Sequence, residues 1–397
     1  MLGPLLAALM CAACGGDDDA SDPRDASTPG IDASDAPEID ADVREDAASP
    51  SDAGTPDGGG PMRETFVYVG LTSGDLVVYA LDASSGALTE RSRTRTGDFP
   101  SFLAPSPDGR FLYVVHEGAA ELAALEVTPG TGAVRVIDRA ATEGGGPTHV
   151  AVSPDGRFVA AANYGGGSVP IFPIEAGGMI GDRLDLERPG GQAHQVVFDA
   201  GGTHLYAVSK EDALVAQYAV SASGLAPLTP PSRAMRPGAG SRHLALSPDE
   251  RFAYVIHELD STITVHARAA DATLGPELQR ISTREEGASG GNTTAEILVH
   301  PSGRFLYGSN RGDDDVVRFR IGSDGLLALE GHESTRGRTP RSMTLTPDAR
   351  LLIVANQDSR DVQVFAVDPT SGALTHRMGI TADANAWYVG AFAIPTE

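Results

Sequence analysis

The sequence predicts an all-β fold: a seven-bladed β-propeller whose ring is closed by its N- and C-terminal strands, preceded by a disordered acidic tether. Three observations predict it. A unit of strand, Ser-Pro-Asp-Gly-Arg-type turn and strand recurs along residues 100–360 with a near-constant period, and repeats of this length mark propeller blades. Glycine (47) and proline (27) are abundant while aromatics make up only 6% of the 397 residues, which suits many short strands joined by tight turns. The two ends of the chain also carry complementary parts of one further unit.

Residues 1–14, MLGPLLAALMCAAC, are apolar, too short to span a bilayer, and end in small residues before Cys14, the shape of a secretory leader's core and cleavage site. The stretch resembles a bacterial lipobox, although no Lys or Arg precedes the apolar run. That resemblance implies lipid attachment at Cys14 and an exported protein, anchored to a bacterial membrane on the periplasmic or cell-surface side. Residues 15–62 follow, rich in Asp, Ala, Ser, Pro and Gly and without any aromatic residue. Such a segment cannot build a core and is expected to be a disordered linker that lifts the domain off the membrane.

Charge is concentrated in this linker. It holds 14 Asp or Glu and 2 Arg, a net of −12, which leaves −24 − (−12) = −12 for the rest of the chain. A polyanionic surface repels phosphate backbones, so nucleic acid is not an expected partner. Both cysteines, Cys11 and Cys14, lie in the leader. Disulfides, thiolate metal sites and cysteine nucleophiles are therefore excluded from the domain, residues 63–397.

Six units begin at FLAPSPDGRFLYVVHE (102), HVAVSPDGRFVAAANY (149), QVVFDAGGTHLYAVSK (195), HLALSPDERFAYVIHE (243), EILVHPSGRFLYGSNR (296) and SMTLTPDARLLIVANQ (342). Their turn positions Asp108, Asp155, Gly201, Asp249, Ser302 and Asp348 are spaced by 47, 46, 48, 53 and 46 residues. A seventh unit starts at TFVYVGLTSGDLVVYALDASSGALT (65) without a first strand of its own, and WYVGAFAI (387–394) is a strand-like run without a partner. Together they complete one blade and remove the exposed edges at the seam.

In an antiparallel pair the start of one strand lies beside the end of the next, so two columns of the repeat share one face of the disc. Seven positions before each turn residue stand Ser101, Thr148, His194, Arg242, Ala295 and Arg341, followed by Phe102, His149, Gln195, His243, Glu296 and Ser342. Nine positions after it stand Glu117, Tyr164, Lys210, Glu258, Arg311 and Gln357. These columns vary from blade to blade where the turns repeat. They bring Lys210, Arg242, Arg311 and Arg341 to one mouth beside His194 and Glu258, a cationic pocket suited to a small anionic ligand because guanidinium groups grip carboxylate or phosphate at two points. His149 and His243 read as channel-facing hydrogen-bonding residues. His204, His266 and His376 read as surface or core, and no grouping has metal-ligand spacing.

At ANYGGGSVPIFPI (161), AHQVVFD (193), GAGSRHLALSPDERFAYVIHELDST (238), AEILVHPSGRFLYGSNRGDD (295) and GRTPRSMTLTPDARLLIVANQDS (337) the chain resembles the seven-bladed lactonases, which include propeller-type 6-phosphogluconolactonases and the fungal carboxymuconate cyclase. The resemblance spans the whole predicted domain. Carried over by motif, it implies site residues His194, Arg242, Glu258 and Arg311. Around them, Gln192-Ala193-His194 stands for a His-Ala-His run, Ser241 for a proline, His257 for an asparagine and Ser342 for a histidine. Gln192, Lys210, His243, His257 and Arg341 are the candidate substrate-binding residues.

The resemblance implies hydrolysis of a small anionic lactone or sugar-acid ligand without metal or cofactor. Glu258 or His194 would be the base for water, and Arg242 and Arg311 the clamp on the oxyanion and the substrate's acidic group. Two arginines near Glu258 would lower its pKa, which favours His194. A lactonising cyclase and a non-catalytic binding propeller are the alternatives. A closed ring leaves a monomer as the expected state.

Overall fold

The computed structural model describes residues 62–397. The predicted leader with Cys14 and the linker up to residue 61 lie outside the described residues.

Seven four-stranded antiparallel sheets make up the described residues. Blade one takes its innermost strand from the C-terminus, Ala386–Pro395, and continues with Arg63–Leu71, Asp75–Leu81 and Leu88–Arg95. The innermost strands of blades two to seven are Pro100–Pro105, Pro147–Val152, Ala193–Phe198, Ser241–Leu246, Thr293–Val299 and Pro340–Leu345. The predicted seam is present: Arg63 pairs with Pro395 and Gly70 with Tyr388 along one continuous ladder. A single 3-10 turn, Ala176–Gly178, is the only helical element among the described residues.

The sequence pattern follows from where each strand sits. Second strands such as FLYVVH (Phe111–His116) and LLIVAN (Leu351–Asn356) are buried along their whole length, because neighbouring blades cover both faces. Outermost strands such as LTHRMGIT (Leu374–Thr381) alternate between half-buried and exposed residues, as a strand with one wet face must. Seven apolar clusters result, one at each blade interface. Across five of these interfaces a fully buried tyrosine of one blade donates its hydroxyl to a carbonyl of the next blade's outer hairpin, as in Tyr68 Oη to Gly132 O (2.9 Å) and Tyr254 Oη to Gly325 O (3.1 Å). The repeated turn is a local device. Ser106 Oγ bonds Asp108 Oδ1 (2.6 Å), which accepts from Arg110 N, while Ser106 Oγ accepts from Phe111 N. Gly109 supplies the left-handed step at φ 74°.

Candidate active site

Every innermost strand carries a β-bulge near its start. Register skips one residue in blades one to five and seven, at Trp387, Ser101, Thr148, His194, Arg242 and Arg341 respectively, and two in blade six, at Ala295 and Glu296. A bulge leaves its extra residue outside the ladder and re-aims the side chain. Seven bulges at one level of a ring thus turn seven positions toward the channel mouth. The first column read from the repeat supplies six of these bulged residues; Glu296 of the second column and Trp387 complete the set.

They surround a small open-mouthed pocket lined by Ser101, Phe102, Thr148, His194, Arg242, His243, Glu296, Arg341, Ser342 and Trp387. Part of the ring is tied together at this level: Ser101 Oγ donates to Pro147 O (2.9 Å), Thr148 Oγ1 to His194 O (3.2 Å) and Arg242 Nη1 to Ala295 O (2.5 Å), each bond reaching the next blade.

Of the predicted site residues, His194, Arg242, His243 and Arg341 line the pocket. Lys210, Glu258 and Arg311 gather beside it as an ion cluster joined through Arg242. Glu258 accepts a bond from Lys210 Nζ at 2.6 Å, and its other oxygen lies 3.2 Å from both Arg242 Nε and Arg311 Nη2. Gln192 stands at the rim, where its Oε1 accepts from Tyr164 Oη (2.9 Å), itself 3.5 Å from Lys210 Nζ. His257 is not brought to the mouth. It is fully buried inside its blade, with Nδ1 3.2 Å from Ser241 Oγ and Nε2 2.9 Å from Thr264 Oγ1. Asn163, Asn310 and Asn356 occupy the same place in blades three, six and seven; each donates within its blade, to Ser168, Asp315 and Asp361, and also back to the end of the preceding blade's outermost strand, at Thr142, Thr283 and Thr335. The substitution at 257 changes an internal bridge and leaves the pocket wall untouched.

Electrostatics divide the mouth. Burial alone would raise the Glu258 carboxyl, but Arg242, Arg311 and Lys210 outweigh it and hold it at about 2. Burial, reinforced by Arg242, keeps His194 and His243 well below the usual imidazole range, so both are neutral at pH 7. Burial and then repulsion from Arg311 pull Arg242 to about 10, and burial with repulsion from Arg242 and Arg311 pulls Arg341 to about 9, leaving both charged. The Arg341 guanidinium lies 3.8 Å from the Trp387 ring centre and makes no hydrogen bond or ion pair among the described residues. Glu117 and Glu258 attract it without an ion pair, and Arg341 lines the pocket.

On the channel floor Arg242 Nη1 contacts His243 Nε2 (3.3 Å), and His243 Nδ1 contacts Glu296 Oε1 (2.6 Å). A guanidinium only donates, so His243 Nε2 accepts and its proton sits on Nδ1, directed at Glu296. Phe102 and Tyr388 pack beneath, with His149 3.9 Å from Phe102 between ring centres.

Two pocket residues escaped the sequence reading. Trp387 is the seventh member of the bulge column, hidden because the closing strand carries no Ser-Pro-Asp turn to align on; pairing the strand-like run 387–394 with the six others exposes it. Glu296 stood in the column without a role.

A family profile described as "Lactonase, 7-bladed beta-propeller" matches residues 66–386. A 6-phosphogluconolactonase of Bacillus subtilis is 27% identical over 341 residues, covering 79% of this chain and 94% of that protein. A probable 6-phosphogluconolactonase of Arthroderma benhamiae is 26% identical, covering 80% and 86%. The structure of a periplasmic gluconolactonase of Pseudomonas aeruginosa superposes with a TM-score of 0.77 at 28% identity, over 84% of this chain and 99% of that one. With a match spanning nearly all of the ring, the chain belongs to the seven-bladed β-propeller lactonase family.

Proposed function

We propose that the protein is an exported lactonase, held at a membrane through Cys14, that hydrolyses a small anionic lactone and works as a monomer. The observation that carries this reading is the pocket itself. A neutral imidazole, His194, lines one pocket with two charged guanidinium groups, one of which, Arg341, makes no hydrogen bond or ion pair among the described residues and is attracted only at longer range by the Glu117 and Glu258 carboxylates. Relatives named 6-phosphogluconolactonase and a neighbour described as a periplasmic gluconolactonase support the substrate class and the export.

In this reading the substrate's acidic group docks against Arg341 on its Trp387 shelf, and Arg242 faces the carbonyl oxygen where negative charge develops. Arg311 acts through Glu258, whose carboxylate it shares with Arg242. His194 is the base for water. Glu258, held at about 2 by three cations, is a poor proton acceptor at neutral pH. His194 is depressed by burial and by Arg242 and Arg341, so an anionic substrate that offsets those charges raises its basicity as it binds. Attack gives a tetrahedral intermediate whose collapse expels the ring oxygen as an alkoxide in need of a proton.

The test is hydrolysis of a panel of sugar and acidic lactones, 6-phosphogluconolactone among them, by residues 62–397 with the uncatalysed rate subtracted. Turnover that falls roughly 10²-fold or more in His194→Ala and in Arg242→Ala, with folding intact, is expected. No turnover on any lactone, with ligand binding retained, would instead mark a binding propeller.

A further inference from the structure

We infer that Glu296 is the general acid that protonates the leaving ring oxygen, with His243 as the residue that positions it. The inference rests on the lactonase reading and assigns a chemical role to a residue on the pocket floor opposite the rim carboxylate Glu258.

Geometry carries it. Glu296 is 5% exposed and lines the same pocket as His194 and Arg242. Its Oε1 accepts from His243 Nδ1 at 2.6 Å and from Ile297 N at 3.2 Å, while Ser309 Oγ fixes its own backbone amide. Both donors fall on one oxygen. A proton on the carboxyl therefore belongs on Oε2, which makes no hydrogen bond among the described residues and is left to the pocket. The Arg242–His243–Glu296 chain fixes this arrangement, because Arg242 forces His243 into the tautomer that donates to Oε1.

The surroundings hold that proton at working pH. From the elements packed against it, Glu296 faces Arg242 and His243 of blade five, His149 of blade three, Arg341 of blade seven and Tyr388 of blade one. Burial outweighs the attraction of Arg242 and His149 and pushes the carboxyl up to about 7. A general acid acts best when its pKa lies near the operating pH.

The step balances. Water oxygen bonds to the carbonyl carbon and its proton passes to His194. The bond from the carbonyl carbon to the ring oxygen breaks, its electron pair goes to that oxygen, and the Glu296 proton joins it. The proton on His194 then returns to Glu296 through pocket water, and the hydroxy acid leaves.

Two lactones separate this role from a structural one: an aliphatic sugar lactone, whose alkoxide needs protonation to leave, and dihydrocoumarin, whose phenolate leaves without it. Wild-type kcat/KM for the aliphatic lactone is expected to fall as pH rises through about 7, and for dihydrocoumarin to lack that limb. Glu296→Gln should lose about 10²-fold in kcat on the aliphatic lactone and less than about 5-fold on dihydrocoumarin, and Glu296→Asp should retain the pH limb at reduced rate. Equal losses on both lactones, or an unchanged aliphatic pH profile in Glu296→Gln, would overturn the role of Glu296 and leave the lactonase reading standing. Should Glu296→Gln not fold, the wild-type pair of profiles decides alone: the same limb on both substrates, or on neither, overturns the assignment. Failure of the wild type on every lactone, including those of the panel, would overturn both.

Discussion

Of the three carboxylates that act on Arg242 at this mouth, Glu258 and Glu296 are held in opposite states. At the rim, Glu258 has three cations within 3.2 Å and stays ionised down to about pH 2. On the floor, Glu296 has a neutral histidine at 2.6 Å and an aromatic wall around it, and holds its proton up to about pH 7. Burial opposes ionisation of both, of Glu296 more fully than of Glu258 (side chains 7% and 13% exposed), and at Glu258 alone the cation contacts reverse it. The rim is a fixed anion that locks arginines in place, and the floor is a group able to exchange a proton. A pair of carboxyl groups pushed apart by environment is a recurrent basis for acid–base assignment.

The most severe way to break the comparison is to end the chain at Asn385. This removes the innermost strand of blade one together with Trp387, which Arg341 stacks on, and Tyr388, which packs against Phe102. Both regions lose their wall and the ring regains two open edges. The truncated chain is expected to lose its cooperative melt by circular dichroism; a melt like that of the full domain would show that the seam is dispensable.

Arg242→Lys is next in size. It keeps the charge between the two regions but loses the fork that reaches Ala295 O, His243 and Glu258 at once. Lactone kcat/KM is expected to fall about 10²-fold, with stability in urea changed by less than about 1 kcal/mol. An unchanged rate would deny the guanidinium its part in oxyanion binding.

Stability against pH sharpens the contrast, because the two carboxyls act with opposite sign. The folded pKa of Glu258 is depressed, so its contribution, roughly 3 kcal/mol, is present above the unfolded value of 4.5 and lost as pH falls through about 2. The folded pKa of Glu296 is raised, so stability is full below 4.5 and declines as pH rises through about 7. In urea titrations Glu258→Gln should be weaker than wild type at pH 7 and equal to it near pH 2. Glu296→Gln should match wild type near pH 4 and exceed it at pH 8. Parallel curves for the two variants would mean that the rim and floor do not differ in charge.

Much of this was legible from sequence and some could not be. The turn residues gave the blade period because each turn satisfies itself locally, as Ser106 and Asp108 do, so the same residues recur wherever the turn does. The channel column followed from antiparallel pairing, which sets the start of each first strand beside the end of the second, and it contained His194, Arg242 and Arg341. His257 enters as a binding residue only through the resemblance, and the structure places it elsewhere: its neighbour Glu258 leaves the strand for the mouth, while His257 still belongs to the ladder and points into the blade. The state of Glu296 could not be read, since it depends on His243, His149, Arg341 and Tyr388 from four other blades, and no spacing along the chain encodes that meeting.

The smallest effect comes from Lys210→Met, which removes one of the three cations at the rim. Lys210 touches Glu258 Oε1, while Arg242 and Arg311 share Oε2, and the two arginines act more strongly on Glu258 than the lysine does. Loss of the lysine should therefore leave Glu258 ionised at neutral pH and weaken the fold by about 1 kcal/mol at pH 7. Near pH 2, where Glu258 gains its proton, the variant and the wild type should converge. The floor should be indifferent, because Lys210 is not among the charges that act most strongly on Glu296. The aliphatic lactone limb near pH 7 is therefore expected to stay where it is in Lys210→Met. A limb that moved with this rim substitution would mean that rim and floor titrate as one coupled unit, with Arg242 failing to insulate them.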